Sequence, residues 1–76
     1  NVIEKDTVLM KFSIDNNLSD IDVIARAYHG SIQNVTDDSI IVSATDSSAR
    51  IMNFIKVMQK FNPLEVVRSG IVAMER

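Results

Sequence analysis

Seventy-six residues with a net charge of −2 and no cysteine form one domain around one core, which excludes disulfide staples, iron-sulfur clusters and copper thiolate sites. Eight Lys and Arg residues are scattered among ten Asp and Glu, so there is no field to draw phosphate and nucleic acid is excluded as an expected partner. With 46% hydrophobic and 24% charged residues, the chain has the balance of a folding protein rather than a disordered one.

The longest apolar run, Ile71-Val72-Ala73-Met74, falls far short of the roughly 20 residues that span a bilayer. No membrane partner and a cytoplasmic location are therefore expected. His29 is the single histidine and has no companion at zinc-ligand spacing. A domain this small leaves much of its surface exposed, and self-association is the remaining aid to stability. The chain opens on Asn1, and a cut from a longer polypeptide is expected.

The first element is a strand. From Thr7 to Ile14, Val8, Met10, Phe12 and Ile14 alternate with Thr7, Leu9, Lys11 and Ser13, the period of a sheet with one apolar face. After the turn Asp15-Asn16-Asn17, residues Ile21, Ile24, Ala25 and Tyr28 fall at the spacing of an amphipathic helix from Leu18 to His29. Ser19 is the expected cap, Asp20 and Asp22 suit the positive end of the dipole, and Gly30 is expected to end the helix in the left-handed conformation.

A hairpin follows, with strands Ser31 to Thr36 and Ser39 to Thr45 about a tight turn at Asp37-Asp38. In its second strand Ile40, Val42 and Ala44 share one face and Ser39, Ile41 and Ser43 the other, so Ile41 is an apolar exception on a polar side. From Asp46 the helical period returns with Ile51, Phe54, Ile55 and Met58, capped by Asp46 or Thr45 and stopped before Asn62 by Pro63. Leu64 to about Met74, rich in β-branched residues, is the last strand, with a bulge at Gly70.

Two β-α-β halves in this order define an α+β fold, the ferredoxin-like βαββαβ unit: a four-stranded antiparallel sheet of order 4-1-3-2 with two helices on one face. The other face carries Leu9 and Ile41 among Thr7, Lys11, Ser39 and Ser43, and a second copy of the chain is the expected cover.

The fold alone decides no function, so each chemistry must show its residues. An acylphosphatase needs a loop of amides and an arginine around phosphate, whereas Gly30 and Gly70 lie far apart and Arg26 and Arg50 fall on helices as solvated residues. Phe12 alternates with the core face, against base stacking on an open sheet. His29 reads as a helix C-terminal residue and Asp37-Asp38 as turn formers rather than as base or metal ligands. Met10 and Met58 belong to the core, which leaves Met52 and Met74 as candidates for a partner surface.

The closing segment Leu64-Glu65-Val66-Val67-Arg68-Ser69-Gly70-Ile71-Val72-Ala73-Met74-Glu75-Arg76 resembles the end of acetolactate synthase small regulatory subunits. The resemblance extends upstream through Val8 to Phe12, Val35 to Val42 and Phe61 to Leu64. The chain departs from the pattern at Ala25 to Gly30 and at Ile71, where a basic residue is common.

This resemblance implies a C-terminal domain, residues 1–76, that follows an ACT domain absent from these residues. It implies a non-catalytic role in feedback regulation of branched-chain amino acid biosynthesis, exerted on a large catalytic subunit. No cofactor is expected in this chain; thiamine diphosphate, magnesium and FAD would belong to that catalytic partner. A homodimer is expected, with Leu9, Ile41, Arg68, Ser69 and Gly70 as candidate subunit contacts. The alternative is a self-contained ACT-like module that senses an amino acid.

Overall fold

The computed structural model describes residues 5–69. In chain order these form β1 (Lys5–Ser13), α1 (Leu18–Ala27), β2 (Gly30–Val35), β3 (Ser39–Ser47), α2 (Ser48–Met58) with a 3-10 turn (Gln59–Phe61), and β4 (Glu65–Ser69). The four strands make one antiparallel sheet of order β2-β3-β1-β4. This is the ferredoxin-like arrangement expected from the periodicity.

Alternation along β1 and β3 builds one side of the core. Val8, Met10 and Phe12 stand opposite Ala44, Val42 and Ile40, and all six are buried. Ile21 and Ala25 of α1 with Ile51, Phe54 and Met58 of α2 close over them. Phe61 meets Phe12 edge to face at a ring separation of 6.2 Å, and Tyr28 lies 5.1 Å from Phe54. Fully burying such a side chain stabilises by about 1.5–3 kcal/mol, so the two helical stripes and the apolar strand face form the main attractive term.

The ends of the elements differ from the sequence expectations in instructive ways. Asn17, not Ser19, caps α1: its Oδ1 accepts from the Asp20 amide at 3.2 Å, while Ser19 already lies within the helix. Ser47, not Asp46 or Thr45, caps α2, with its hydroxyl accepting from the Arg50 amide. The reason is that β3 runs on to Ser47 against Lys5, which moves the helix start.

The left-handed residue after α1 is His29, with φ 61°, rather than Gly30. Gly30 opens β2 instead, and it is required for space: a Cβ there would lie 2.6 Å from the Ser43 carbonyl oxygen and 2.7 Å from the Ala44 Cβ. Ser39, expected on the solvent side, is only 5% exposed because the Thr36–Ser39 turn folds its hydroxyl against that of Thr36 at 3.0 Å. The Thr36 amide donates to the Ser39 carbonyl at 2.8 Å to close that turn.

Past Met58 the helix tightens into the 3-10 turn and leaves it through Asn62 at φ 55°. Pro63 follows directly, as its barrier to helix continuation requires. The expected continuation of the last strand to Met74, and the bulge at Gly70, lie outside the described residues.

Candidate functional site: the open face of the sheet

With helices on one side, the odd positions of β1 face away from the core. Leu9 stands opposite Ser43 on β3 and opposite Val67 on β4, and Lys11 stands between Ile41 and Glu65. Leu9 is 42% and Val67 50% exposed, and Ile41 is half-buried. Together Leu9, Lys11, Ile41, Glu65 and Val67 line a shallow recess of about 150 Å³. The rest of this face is polar: Thr7 and Thr45 share a hydrogen bond at 3.0 Å, Ser69 stands opposite Thr7, Ser31 opposite Ser43, Asn34 opposite Ile41 and Lys5 opposite Ser47.

The structure thus brings Leu9 and Ile41 into one recess and adds Val67, which the sequence pattern did not single out. Its signal was concealed because Val66 and Val67 are consecutive, so alternation does not tell which one faces the core. Pairing does: Val66 is opposite the buried Met10 and Val67 opposite Leu9. Ser69 shares the open face but stands beyond the recess. Gly70 lies outside the described residues.

Arg68 points to the opposite side of the sheet, opposite Val8. Its Nε donates to Asp6 Oδ2 at 2.7 Å, its Nη2 donates to the same oxygen and also to Ser48 Oγ at 3.1 Å. Asp6 is 5% exposed and accepts from the Ser48 hydroxyl at 3.2 Å. The guanidinium therefore ties β4 to β1 and to the start of α2. Asp6 falls two residues before Val8, which places it on the core face by simple alternation.

A second polar cluster joins the end of α1 to the start of α2. Arg50 Nε and His29 Nδ1 donate to Asp46 Oδ2 at 2.8 and 2.9 Å, and the Ser47 amide donates to Oδ1 at 2.7 Å. Arg50 also donates to the Ala27 carbonyl at 2.6 Å and lies 4.9 Å over the Tyr28 ring. Expected to be a solvated residue, Arg50 instead bridges the two helices. His29 sits past the helix end rather than in its last turn.

Arg50, first, and then the Ser47 amide hold the Asp46 carboxyl at about 2, below its ordinary 3.8. A depressed carboxyl stabilises the fold above its unfolded value and loses that contribution as pH falls through its folded value. Acid titration of the thermal midpoint should therefore show a decline between about pH 4 and pH 2 that Asp46→Asn lacks. Parallel curves for the two proteins would refute this linkage.

Asp38 accepts from the Thr36 hydroxyl at 3.0 Å, in keeping with a turn-forming role. Among the described residues, no group of three or more His, Cys, Asp or Glu side chains is placed to hold a metal ion, and no helix is long and apolar enough to cross a membrane.

Fold and site together define a ferredoxin-like domain with one helix-covered face and one open face bearing an apolar recess, an architecture suited to contacts between chains. The sequence agrees with a specific family: residues 5–76 match the model described as the small subunit of acetolactate synthase, and the chain belongs to that family.

A probable acetolactate synthase small subunit of Schizosaccharomyces pombe is 28% identical over 61 residues, covering 80% of this chain and 21% of that protein. The acetolactate synthase small subunit of Thermotoga maritima superposes with a TM-score of 0.79 at 24% identity, over 92% of this chain and 44% of that one, a likeness of fold. The chain therefore spans about a fifth of its curated relative and less than half of its structural one.

Proposed function

We propose that this chain is the C-terminal, non-catalytic domain of a regulatory subunit, preceded by an ACT domain that binds the feedback effector. On this reading it self-associates through its open sheet face and couples effector binding to the large catalytic subunit of acetolactate synthase in branched-chain amino acid biosynthesis. The chemistry belongs to that large subunit, together with thiamine diphosphate, magnesium and FAD. The observation that carries the reading is the apolar recess of Leu9, Ile41 and Val67 on a face otherwise built of hydroxyls and charges. Burying such a patch against a copy of itself removes apolar surface from water, while Lys11 and Glu65 stand opposite each other and the surrounding serines and threonines can pair across a two-fold axis.

Acetolactate formation from pyruvate by the large subunit tests the role. The regulatory subunit containing this domain should raise the rate and confer sensitivity to valine, and the isolated domain should do neither alone. No effect of the whole subunit would defeat the assignment. Self-association has its own test: Ile41→Asp puts a charge in the recess and should weaken the dimer at least about tenfold, roughly 1.4 kcal/mol. Light scattering should then report half the mass with an unchanged circular dichroism spectrum. A dimer of unaltered strength would show that another surface holds the copies together.

A second reading, a self-contained ACT-like sensor, is favoured by the pair Lys11 and Glu65, opposite each other beside three aliphatic side chains. Such a recess matches a small zwitterion with an aliphatic side chain. Heat released on titrating valine, leucine or isoleucine into the chain, and abolished by Lys11→Gln, would favour it.

A further inference from the structure

Strand register sets out the open face as a grid, because it fixes which side chains stand side by side. One row across it runs Ile41, Lys11, Glu65, and the next runs Ser43, Leu9, Val67. Lys11 and Glu65 line the same recess as Leu9 and Val67, so a cation and an anion on neighbouring strands stand beside two aliphatic side chains. The ion pairs among the described residues join Arg26 to Asp22, His29 and Arg50 to Asp46, and Arg68 to Asp6. None of these involves Lys11 or Glu65.

A patch that meets its own copy obeys a symmetry rule: where one residue touches a second, the second touches the first. Sheets stacked face to face keep their strands within about 30° of each other, so a two-fold axis between them runs along the strands or across them. Along β1, the axis would set Lys11 against the partner's Lys11 and bury Glu65 against the partner's Ile41. Midway between β1 and β3, it would set Leu9 against the partner's Ser43 and Lys11 against the partner's Ile41. Across the strands at Leu9, it would leave Lys11 against the partner's Thr7 and Glu65 against the partner's Ser69. Midway between β1 and β4, and parallel to them, like meets like and charge meets counter-charge. There Lys11 faces the partner's Glu65, Leu9 the partner's Val67 and Thr7 the partner's Ser69, as the register of the two strands requires.

We infer that a second copy docks on this axis, with β1 of each copy over β4 of the other, and that Lys11 and Glu65 select that copy as the partner. The inference rests on the self-association proposed above and deepens it by fixing its symmetry. The four charges stand at the corners of a square in which the signs alternate. Each ammonium then has a carboxylate on two sides, one in its own chain and one in the other. The aliphatic pairs beside them exclude water, and the lower local dielectric strengthens the attraction. A surface carrying one sign of charge gains at one corner and loses at the next, so the pattern discriminates against other partners. Ile41 flanks Lys11 on its other side. A carboxylate placed there by Ile41→Asp would compete for the ammonium, so that variant weakens the dimer on the same axis.

Charge reversal tests the axis. Lys11→Glu sets a carboxylate against the partner's Glu65, and Glu65→Lys sets an ammonium against the partner's Lys11. Sedimentation equilibrium over a concentration series suits the weak association that two strands per copy provide. Each variant alone should self-associate about tenfold or more weakly than the wild type, with an unchanged circular dichroism spectrum. An equimolar mixture of the two should recover the wild-type affinity, because every facing pair in the mixed dimer is again of opposite sign. Should reversal perturb the fold, Lys11→Gln and Glu65→Gln supply the measurement: each removes an attraction without adding a repulsion and should weaken the dimer by a smaller factor. If the wild type dimerises and the variants dimerise equally well, the axis is overturned while self-association stands. Reversed variants that are weakened alone and no stronger when mixed would assign the pair to contacts within one chain, which also overturns the inference. A wild type that stays monomeric throughout the series defeats the self-association reading, and the inference falls with it.

Discussion

Replacing Arg68 with methionine should lower the free energy of unfolding by about 2–3 kcal/mol, although Arg68 stands on an edge strand and its side chain is one-third exposed. The loss comes from the residue left behind. Asp6, with a side chain 6% exposed, takes its charge compensation from Arg68, and Ser48 alone cannot replace a guanidinium that donates twice. Removing one member of a buried pair strands the other in a medium that solvates it poorly. Partial exposure of Arg68 places the cost below the upper range for wholly buried pairs.

The double variant Asp6→Leu with Arg68→Met should recover much of the loss, because an apolar pair neither requires nor wastes a charge there. Urea unfolding of the four proteins of the cycle supplies the measurement. A loss under about 0.5 kcal/mol for Arg68→Met, or simple additivity in the cycle, would show that the pair is ornamental. The outcome also bears on function. Arg68 was a candidate subunit contact by resemblance, and a large intramolecular coupling would assign it to holding β4 in register, with Val67 presented beside Leu9.

Gly30→Val should cost about 3 kcal/mol or prevent folding. The strain does not come from the backbone angle, since the left-handed residue of this turn is His29. It comes from space: the added Cβ would meet the Ser43 carbonyl and the Ala44 side chain, both in the centre of β3, and the Ala25 carbonyl at 3.1 Å. None of these is the far end of a flexible side chain, so relief requires β2 to move away from β3 or α1 from the sheet. A chain of this size is stabilised by about 4–11 kcal/mol in all, and the variant should retain only a weakened transition in thermal melts followed by circular dichroism. A midpoint within a few degrees of the wild type would mean that the two strands separate more easily than their packing suggests. The reverse comparison is informative too. His29→Gly relieves the positive φ but removes a ligand of Asp46, so a neutral result would reveal two opposing effects of similar size.

The two predictions depend on different kinds of information. Periodicity alone determined the βαββαβ order, the sheet with helices on one side, and the members of both helical stripes. An apolar face has to follow the geometry of its element, two residues per repeat in β1 and β3 and 3.6 in α1 and α2. The same alternation placed Leu9 and Ile41 on the open face, because each interrupts a polar series whose opposite parity is wholly apolar. The closing run of residues also disclosed the family, a matter of residue identity rather than of physics.

The tertiary structure decided what parity and propensity leave undetermined. Val66 and Val67 are neighbours with equal preference for a strand, and only pairing against Met10 and Leu9 turned Val66 to the helix side of the sheet, where it stays 39% exposed, and Val67 to the recess. Asp6 and Arg68 are 62 positions apart, and no local rule joins two charges across a chain. Asp46 looked like a helix cap by residue type, but β3 continued past it and its carboxylate was taken by Arg50 and His29. Gly30 looked like a helix terminator for the same local reason, and the need for a residue without a Cβ arose from the approach of β3. Short-range chemistry fixes which conformations a residue prefers, whereas long-range packing fixes which neighbour it meets. The open recess and the Asp6–Arg68 tie are products of the second, whereas the Asp46 cluster joins a local i,i+4 pair with Arg50 to the distant His29 and Ala27.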